Sequence, residues 1–593
     1  MVREGVIAWL CFAPLAFAAP FRITVVDAAS GRGVPLVELR TTANQSFWTD
    51  SAGVIALDEP TLMNREVWFD VHAHGYRHPK DGLGLSGLRL TPRPDGAARI
   101  ELERENVAER LYRTTGAGVY AHSRRLGDPI PLERPPLLAE LTGCDSVQVE
   151  VYRGRLFWVW GDANRLRYGL GNFKASGARS WLPGYGGADP AVGVRLDYLT
   201  RPDGFARELC AFGGDQPGPV WLDGLVSVRD AEGREHLVAH FVRVKTLGEL
   251  HARGLARFDE ASGTFRVWRE LPLDAPLAPR GHPLRVQVEG VDYLYFADPF
   301  PDVRVPATLE ALGDPAQYEG FSMLRPGPHD PEAPAFDRDE AGRLRLGWKR
   351  GAHPLRPAEQ LRWVGKGLAA EEVFPRLRAP ESERRVVPHR GSVQLDPASG
   401  RWTWIFTEAG GESSHLGEVW FASAPSPLGP WAFARKVVTH DRYSFYNPTQ
   451  HEYFSDARWL YFEGTYTTLF AGTDRKTPLY DYNQIVYRLD RRDPRLQLPR
   501  ELGEPGHPVG FAWDQARPGA IPLELPGPPA WGYPASRPAP HPGMQLLRRD
   551  PVSRALSLRA GEPDDACLGW VWAPPARATH ERVGPGRRSD GYH

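Results

Sequence analysis

The chain has 593 residues, far more than one hydrophobic core requires, so two or three domains are expected. Charged residues make up 24% and the formal net charge is −1, which excludes the strongly basic surface of a nucleic-acid binder or of a protein drawn to anionic membranes. Glycine (61), proline (57) and 11% aromatic residues suit many short strands and turns, so the expected class is all-β.

At the start, Arg3 precedes an apolar run from Val6 to Phe17, interrupted by Pro14, and then Ala16-Phe17-Ala18. That is the order of a secretory signal, and residues 1–18 are expected to be removed by cleavage after Ala18. The run is shorter than the roughly 20 residues of a membrane span, and no later stretch is long enough. The expected location is therefore secreted, periplasmic or extracellular. Cys11 leaves with the signal, so Cys144, Cys210 and Cys567 remain and allow at most one bridge. Cys144 with Cys210 is a candidate; isolated buried thiols are the alternative.

Residues 19–103 contain short alternating runs, FRITVV, PLVELRTT, GVIAL, EVWFDVHA and ARIELE, separated by turn residues, and read as a small antiparallel β-sandwich. The stretches GRGVPLVEL and TDSAGVIAL resemble the carboxypeptidase-regulatory-like or transthyretin-like domains attached to many secreted bacterial enzymes. His72 and His74 share one face of a strand, where an inert solvent-facing pair is the expected role. Residues 104–135 read as a connector, with a helical turn around Val107 to Tyr112 and a strand around Gly118 to His122.

Over residues 136–492 five hairpins recur, each a first strand that starts at a polar residue, a tight turn and an aromatic second strand. They are DSVQVEVY with RLFWVWGD, WLDGLVSV with HLVAHFVRV, HPLRVQVE with DYLYFADP, HRGSVQLD with RWTWIFTE, and PTQHEYF with WLYFEGTY. Five such units make a five-bladed β-propeller, in which radial repetition protects the sheet edges. Residues 493–593 are rich in Pro and Gly; GFAWD and AIPLEL are expected to close the last blade, ahead of a partly disordered tail.

Residues facing each other across an antiparallel hairpin keep a constant index sum. Pairing Tyr152 with Arg155 places Asp145 opposite Asp162, and pairing Asp396 with Arg401 places His389 opposite Glu408. The same construction places Asp298 beside His282 and Pro283, and Glu463 beside Gln450 and His451. Asp145, Asp223, His282, His389 and His451 should therefore converge at one rim of the axis, with Asp162, Asp298, Glu408 and Glu463 just outside. Each of these residues alone is readily a strand cap. Repeated at equivalent ends of five hairpins, they form the pattern of a site in a propeller mouth, where crowded carboxyls push their pKa values apart.

DSVQVEVYRGRLFWVWGD, with its initial Asp and returning aromatic strand, and ASAPSPLGPW resemble the five-bladed propeller glycoside hydrolases, the arabinanase, xylosidase and fructosidase superfamily. The resemblance implies that Asp145 is base or nucleophile and that Asp223 tunes and orients. It also implies a Glu as acid in the third blade, where this chain has His282, so the acid is sought among Glu408, Glu463 and Asp298. Cleavage would then need one carboxyl to protonate the leaving oxygen and another to attack or to activate water. Trp181, Tyr185, Trp221, Phe300, Tyr446 and Tyr466 are expected on loops at that rim as stacking surfaces for a polysaccharide or oligosaccharide. Arg165, Arg167, Arg243 and Arg390 are expected nearby, suiting an acidic or sulfated glycan or simply pairing with the crowded acids. Two other classes stay open: a non-catalytic glycan-binding propeller, and a metal-dependent enzyme in which His282, His389 and His451 meet on the axis. No cofactor is required by the hydrolytic reading, which also admits a central calcium or a transition metal.

Overall fold

The computed structural model describes residues 19–131, 139–166, 168–172, 175–212, 218–246, 248–382, 384–504, 507–517, 520–525, 530–539, 544–551, 553, 555–560, 562–574 and 583–586. The expected signal segment and Arg167 lie outside these residues. The described chain is nearly all β, with a few short helices. None of its helices is long and apolar enough to cross a membrane. Two compact units are present.

The first unit comprises residues up to Glu103 together with Tyr120–Ile130. One four-stranded sheet contains Phe21–Asp27, Val54–Leu57, Ala97–Arg104 and Tyr76–Arg77; the other contains Ser46–Trp48, Glu38–Thr41, Val67–His72 and Gly87–Leu90. Alternation decides which face is buried: Ile23, Val25, Ile100 and Leu102 join Leu39, Phe69 and Val71 in one core. The helix Ala121–Arg125 belongs here, anchored where Ser123 donates its backbone N–H and its hydroxyl to Asp50 Oδ2 at 2.7 and 2.8 Å.

In the second unit the five expected hairpins are all present, each opening a larger antiparallel sheet. Their first strands are Gln148–Tyr152, Val220–Arg229, His282–Val288, Pro388–Asp396 and Ser444–Gln450. The first and third hairpins turn at Arg153-Gly154 and Glu289-Gly290, where all four residues have positive φ. This is the type I′ turn whose twist matches the strands it joins, with glycine at its second position.

Neighbouring sheets share their cores. Phe157 and Val159 of the first meet Leu222 and Phe241 of the second; Val226 and Val238 meet Leu294 and Phe296 of the third. Leu284 and Tyr295 meet Trp402 and Trp404 of the fourth, and Tyr461 and Val486 of the fifth meet Trp158 and Trp160 of the first. The fifth sheet is completed by Glu109–Arg113, which pairs antiparallel with Asn483–Asp490. The segment expected to form a helical turn is thus the edge strand of the last sheet, and the expected strand at Gly118 to His122 runs into a helix instead. GFAWD does not close the fifth sheet. Its strand, His507–Ala512, belongs to a separate five-stranded sheet with Arg500–Glu504, Cys567–Trp572, Met544–Arg549 and Leu556–Arg559, so the tail carries regular structure well past residue 540. Cys144, Cys210 and Cys567 form no disulfide, which overturns the Cys144 to Cys210 bridge.

Candidate active site

The strand ends where these hairpins begin carry polar contacts that, joined through short stretches of backbone, lead from the first sheet round to the fifth and back. Asp145 precedes the first strand and faces Asp162: its N–H donates to the Asp162 carbonyl at 3.2 Å, and the Asp162 N–H donates to Asp145 Oδ1 at 2.9 Å. Trp221, from the second sheet, donates its indole N–H to Asp162 Oδ1 at 2.8 Å. Two residues on, Asp223 holds His240 Nδ1 at 2.7 Å and accepts the Gly281 N–H at 3.1 Å, reaching the third sheet. Arg280 pairs with Asp298 at 2.8 Å, and Arg390 of the fourth sheet approaches the same carboxylate at 3.5 Å. On the fifth sheet Thr449 Oγ1 lies 3.3 Å from His282 Nδ1, and the Tyr446 hydroxyl donates to Asp145 Oδ2 at 2.7 Å, closing the circuit.

The charges along this circuit differ for physical reasons. Burial pushes the Asp145 pKa up, against the pull of hydrogen bonds from Tyr446, Tyr482, the Asp162 N–H and Ser146. Burial and then the neighbouring Asp145 charge push Asp162 up to about 7, with Trp221 as the donor that opposes them. Several donors converge on Asp145 and fewer on Asp162, so the proton belongs on Asp162. Burial opposes ionisation of Asp223 and Asp298 too, but His240 and Arg280 outweigh it at Asp223, and Arg390, Arg280 and Arg356 outweigh it at Asp298; both are held below the usual range. Asp302, in the strand Pro301–Pro306, is pushed far up by burial and by Asp298. Burial and then Arg390 lower His282 and His389 to about 4, so both imidazoles are neutral near pH 7.

Asp145, Asp162, Asp223, Asp298, Trp221, Tyr446, His282 and Arg390 are therefore brought together, while other candidates are not. Glu408 is clamped by Arg384, with contacts of 2.5 and 2.9 Å, and is 1% exposed. His389 does not face it: a bulge at residues 389 and 390 pairs Pro388 with Glu408 instead. The third turn falls one residue earlier than expected, at Glu289-Gly290, and leaves Asp298 one position beyond the pair His282 and Ala297, not beside His282 and Pro283. The fifth hairpin starts at Ser444, earlier than its sequence suggests, so Glu463 pairs with Thr449 inside the sheet and is fully buried, accepting from Thr114 Oγ1 at 3.1 Å. His451 follows that strand, is buried against Trp158 and Phe454, and lies 3.4 Å from Glu463, too poorly aligned for a hydrogen bond.

Trp181 and Tyr185 are exposed but lie at the opposite end of the first sheet, because Ser180 pairs with Leu156 beside the Arg153-Gly154 turn. Arg155 covers the Trp181 ring at 4.7 Å. Phe300 and Tyr466 are wholly buried; Tyr466 stacks on Tyr443 at 4.4 Å, so neither is a sugar platform. Arg165 lies over Phe205 at 4.7 Å, and Arg243 pairs with Val220 at the end of the second sheet that carries Trp221. Among the described residues, His282, His389 and His451 do not bring three ligand atoms within 4.8 Å, whereas His329, His353 and Glu359 do and could hold an ion.

His240, Arg280, Asp302, Arg356 and Tyr482 were not singled out by sequence. Only Arg280 carried a visible cue, its place immediately before the third hairpin.

No protein-family model matches the chain, and no curated protein sequence matches it. Among solved structures, the GH43_1 enzyme from Xanthomonas citri is similar at 12% identity, covering 60% of this chain and 88% of that one with a TM-score of 0.30. The exo-beta-1,3-galactanase from Phanerochaete chrysosporium is similar at 9% identity, covering 64% of each chain with a TM-score of 0.30. Scores this low carry no argument about activity.

Proposed function

We propose that this chain is a secreted glycoside hydrolase that cleaves a polysaccharide or oligosaccharide at the Asp145 and Asp162 pair. In this reading the five sheets are the blades of a five-bladed β-propeller and the two-sheet N-terminal unit is a β-sandwich. Support for the propeller comes from contacts between the first strands of successive sheets and from the return of the fifth sheet onto the first. Export rests on Arg3, the apolar run and Ala16-Phe17-Ala18.

The observation that carries the chemistry is the pairing of two part-exposed carboxyls with unequal donors. Asp162, up to about 7, holds a proton for the departing glycosidic oxygen. Asp145, fixed by Tyr446, attacks the anomeric carbon or takes a proton from water. Asp223, held ionised between His240 and Arg280, orients the sugar. The acid is thus assigned to the first sheet, since Glu408 and Glu463 are closed off and Asp298 is committed to arginines.

A polysaccharide panel with product analysis tests this reading. Sugar release by the wild type and none by Asp145→Asn is the expected result. The second reading, a non-catalytic glycan-binding propeller, is favoured by His282 standing where the superfamily acid is expected. It requires binding without turnover in both forms.

A further inference from the structure

More than one arginine crowds the carboxylate of Asp298. Arg280 and Arg390 share that one carboxylate, at 2.8 and 3.5 Å, and Arg356 also acts on it. Arg280 also faces Asp223, which is already engaged by His240, and Arg356 faces Glu359, which is engaged by His353 at 3.0 Å. Arg253 is a fourth cation, on which the charges of Arg280 and Arg356 act. It is 8% exposed and gives Nη1 to the Leu273 and Ala275 carbonyls. Its Nε is buried without a hydrogen-bond partner. Asp302, the remaining nearby acid, is pushed far up from the usual carboxylate range by burial and by Asp298. Two guanidiniums, Arg280 and Arg390, therefore share the single carboxylate of Asp298, while the neighbouring Asp223 and Glu359 are taken up by His240 and His353.

Like charges crowded at a partly buried site repel, and an anion of matching size relieves that repulsion. The crowding shows on Arg253, which burial and then the Arg280 charge lower to about 10. Arg280 and Arg390 remain reachable, with side chains 32% and 38% exposed, while the Asp298 between them is 16% exposed. A guanidinium presents paired N–H donors that match a planar carboxylate or a sulfate ester.

We propose that the subsite lined by Arg280, Arg356 and Arg390 binds the acidic group of an anionic sugar, a uronosyl carboxylate or a sulfate ester, next to the bond cleaved at Asp145 and Asp162. This rests on the glycoside hydrolase reading for its position, though not for its chemistry. The contact circuit links the two places: Tyr446 touches Asp145, and Thr449 on the same strand touches His282, one residue from Gly281 and two from Arg280.

The test is calorimetric titration of the full chain with methyl glucuronide, methyl galacturonide, glucose 6-sulfate and the neutral methyl glycosides. The expected result is binding of an acidic sugar at least tenfold tighter than its neutral counterpart, weakening as salt rises from 50 to 500 mM. Arg390→Gln should erase the preference, and the Arg280 to Asp298 pair left in place keeps the fold, which circular dichroism checks. Preference for the uronides assigns a carboxylate, and preference for glucose 6-sulfate assigns a sulfate; either supports the proposal. Equal affinity for neutral and acidic sugars, or a preference unchanged in Arg390→Gln, overturns it. Cleavage of neutral glycans without binding of acidic ones overturns this proposal and leaves the hydrolase standing. Acidic-sugar binding without cleavage of any glycan does the reverse.

Discussion

The Tyr446 hydroxyl donates to Asp145 Oδ2 at 2.7 Å, so a residue of the fifth sheet fixes the carboxylate that opens the first. This contact sets the orientation of Asp145 and leaves its other oxygen to the Asp162 N–H.

Asp145→Asn keeps the size of the side chain and removes its charge. Turnover should fall by about 10²-fold or more, with the melting temperature within a few degrees of wild type. Initial rates on an identified substrate, together with thermal melts, check this. Full activity in the variant would make Asp145 structural.

Activity should fall as pH rises through 7, because Asp162, up to about 7, must carry its proton to serve as acid. Its folded pKa lies above the unfolded value, so its contribution to stability is largest at low pH. That contribution is lost as pH climbs from about 4 through 7. Asp162→Asn should abolish the alkaline limb along with most of the rate. It should also flatten the stability profile over that window, by an amount on the order of 1–3 kcal/mol. A pH series of rates and of urea midpoints measures both.

Trp221 acts through Asp162. Trp221→Phe removes the donor that opposes the upward shift, so the alkaline limb should move to higher pH by about half a unit while KM changes little. A purely structural tryptophan would lower stability without moving the limb.

Glu408→Gln should leave the rate near wild type, since Glu408 faces Arg384 and not the Asp145 circuit. Its cost is stability, about 1–3 kcal/mol for leaving a partly buried guanidinium short of its bidentate partner. Chemical denaturation reads this directly. A large loss of rate at unchanged stability would return Glu408 to the catalytic machinery.

Tight turns made the hairpins legible. Arg153-Gly154 pins the first register strongly enough that Asp145 and Asp162 could be paired from sequence alone, and the structure pairs them. Errors arose where a local irregularity shifts the frame. A bulge at residues 389 and 390 separates His389 from Glu408, and an early strand start at Ser444 carries Glu463 and His451 away from the rim. Aromatic character alone suggests a rim position for Trp181 and Tyr185, whereas the pairing of Ser180 with Leu156 sends them to the far end. Tyr482 and Arg356 lie in irregular segments whose approach to Asp145 and Asp298 depends on contacts distant in sequence. No periodicity encodes such contacts.

The strand Glu109–Arg113 imposes an order of events on folding. Glu109 meets Arg488 across 379 residues of chain, so the edge made early in synthesis waits for the strand Asn483–Asp490. At 5–20 residues per second that delay is roughly 20–75 s, during which a strand with unsatisfied backbone amides is open to the wrong partner. Loop-closure entropy rises only slowly with length, so the cost falls on speed more than on final stability. The fifth sheet, which delivers Tyr446 to Asp145, therefore completes late, once both Glu109–Arg113 and Asn483–Asp490 have been made.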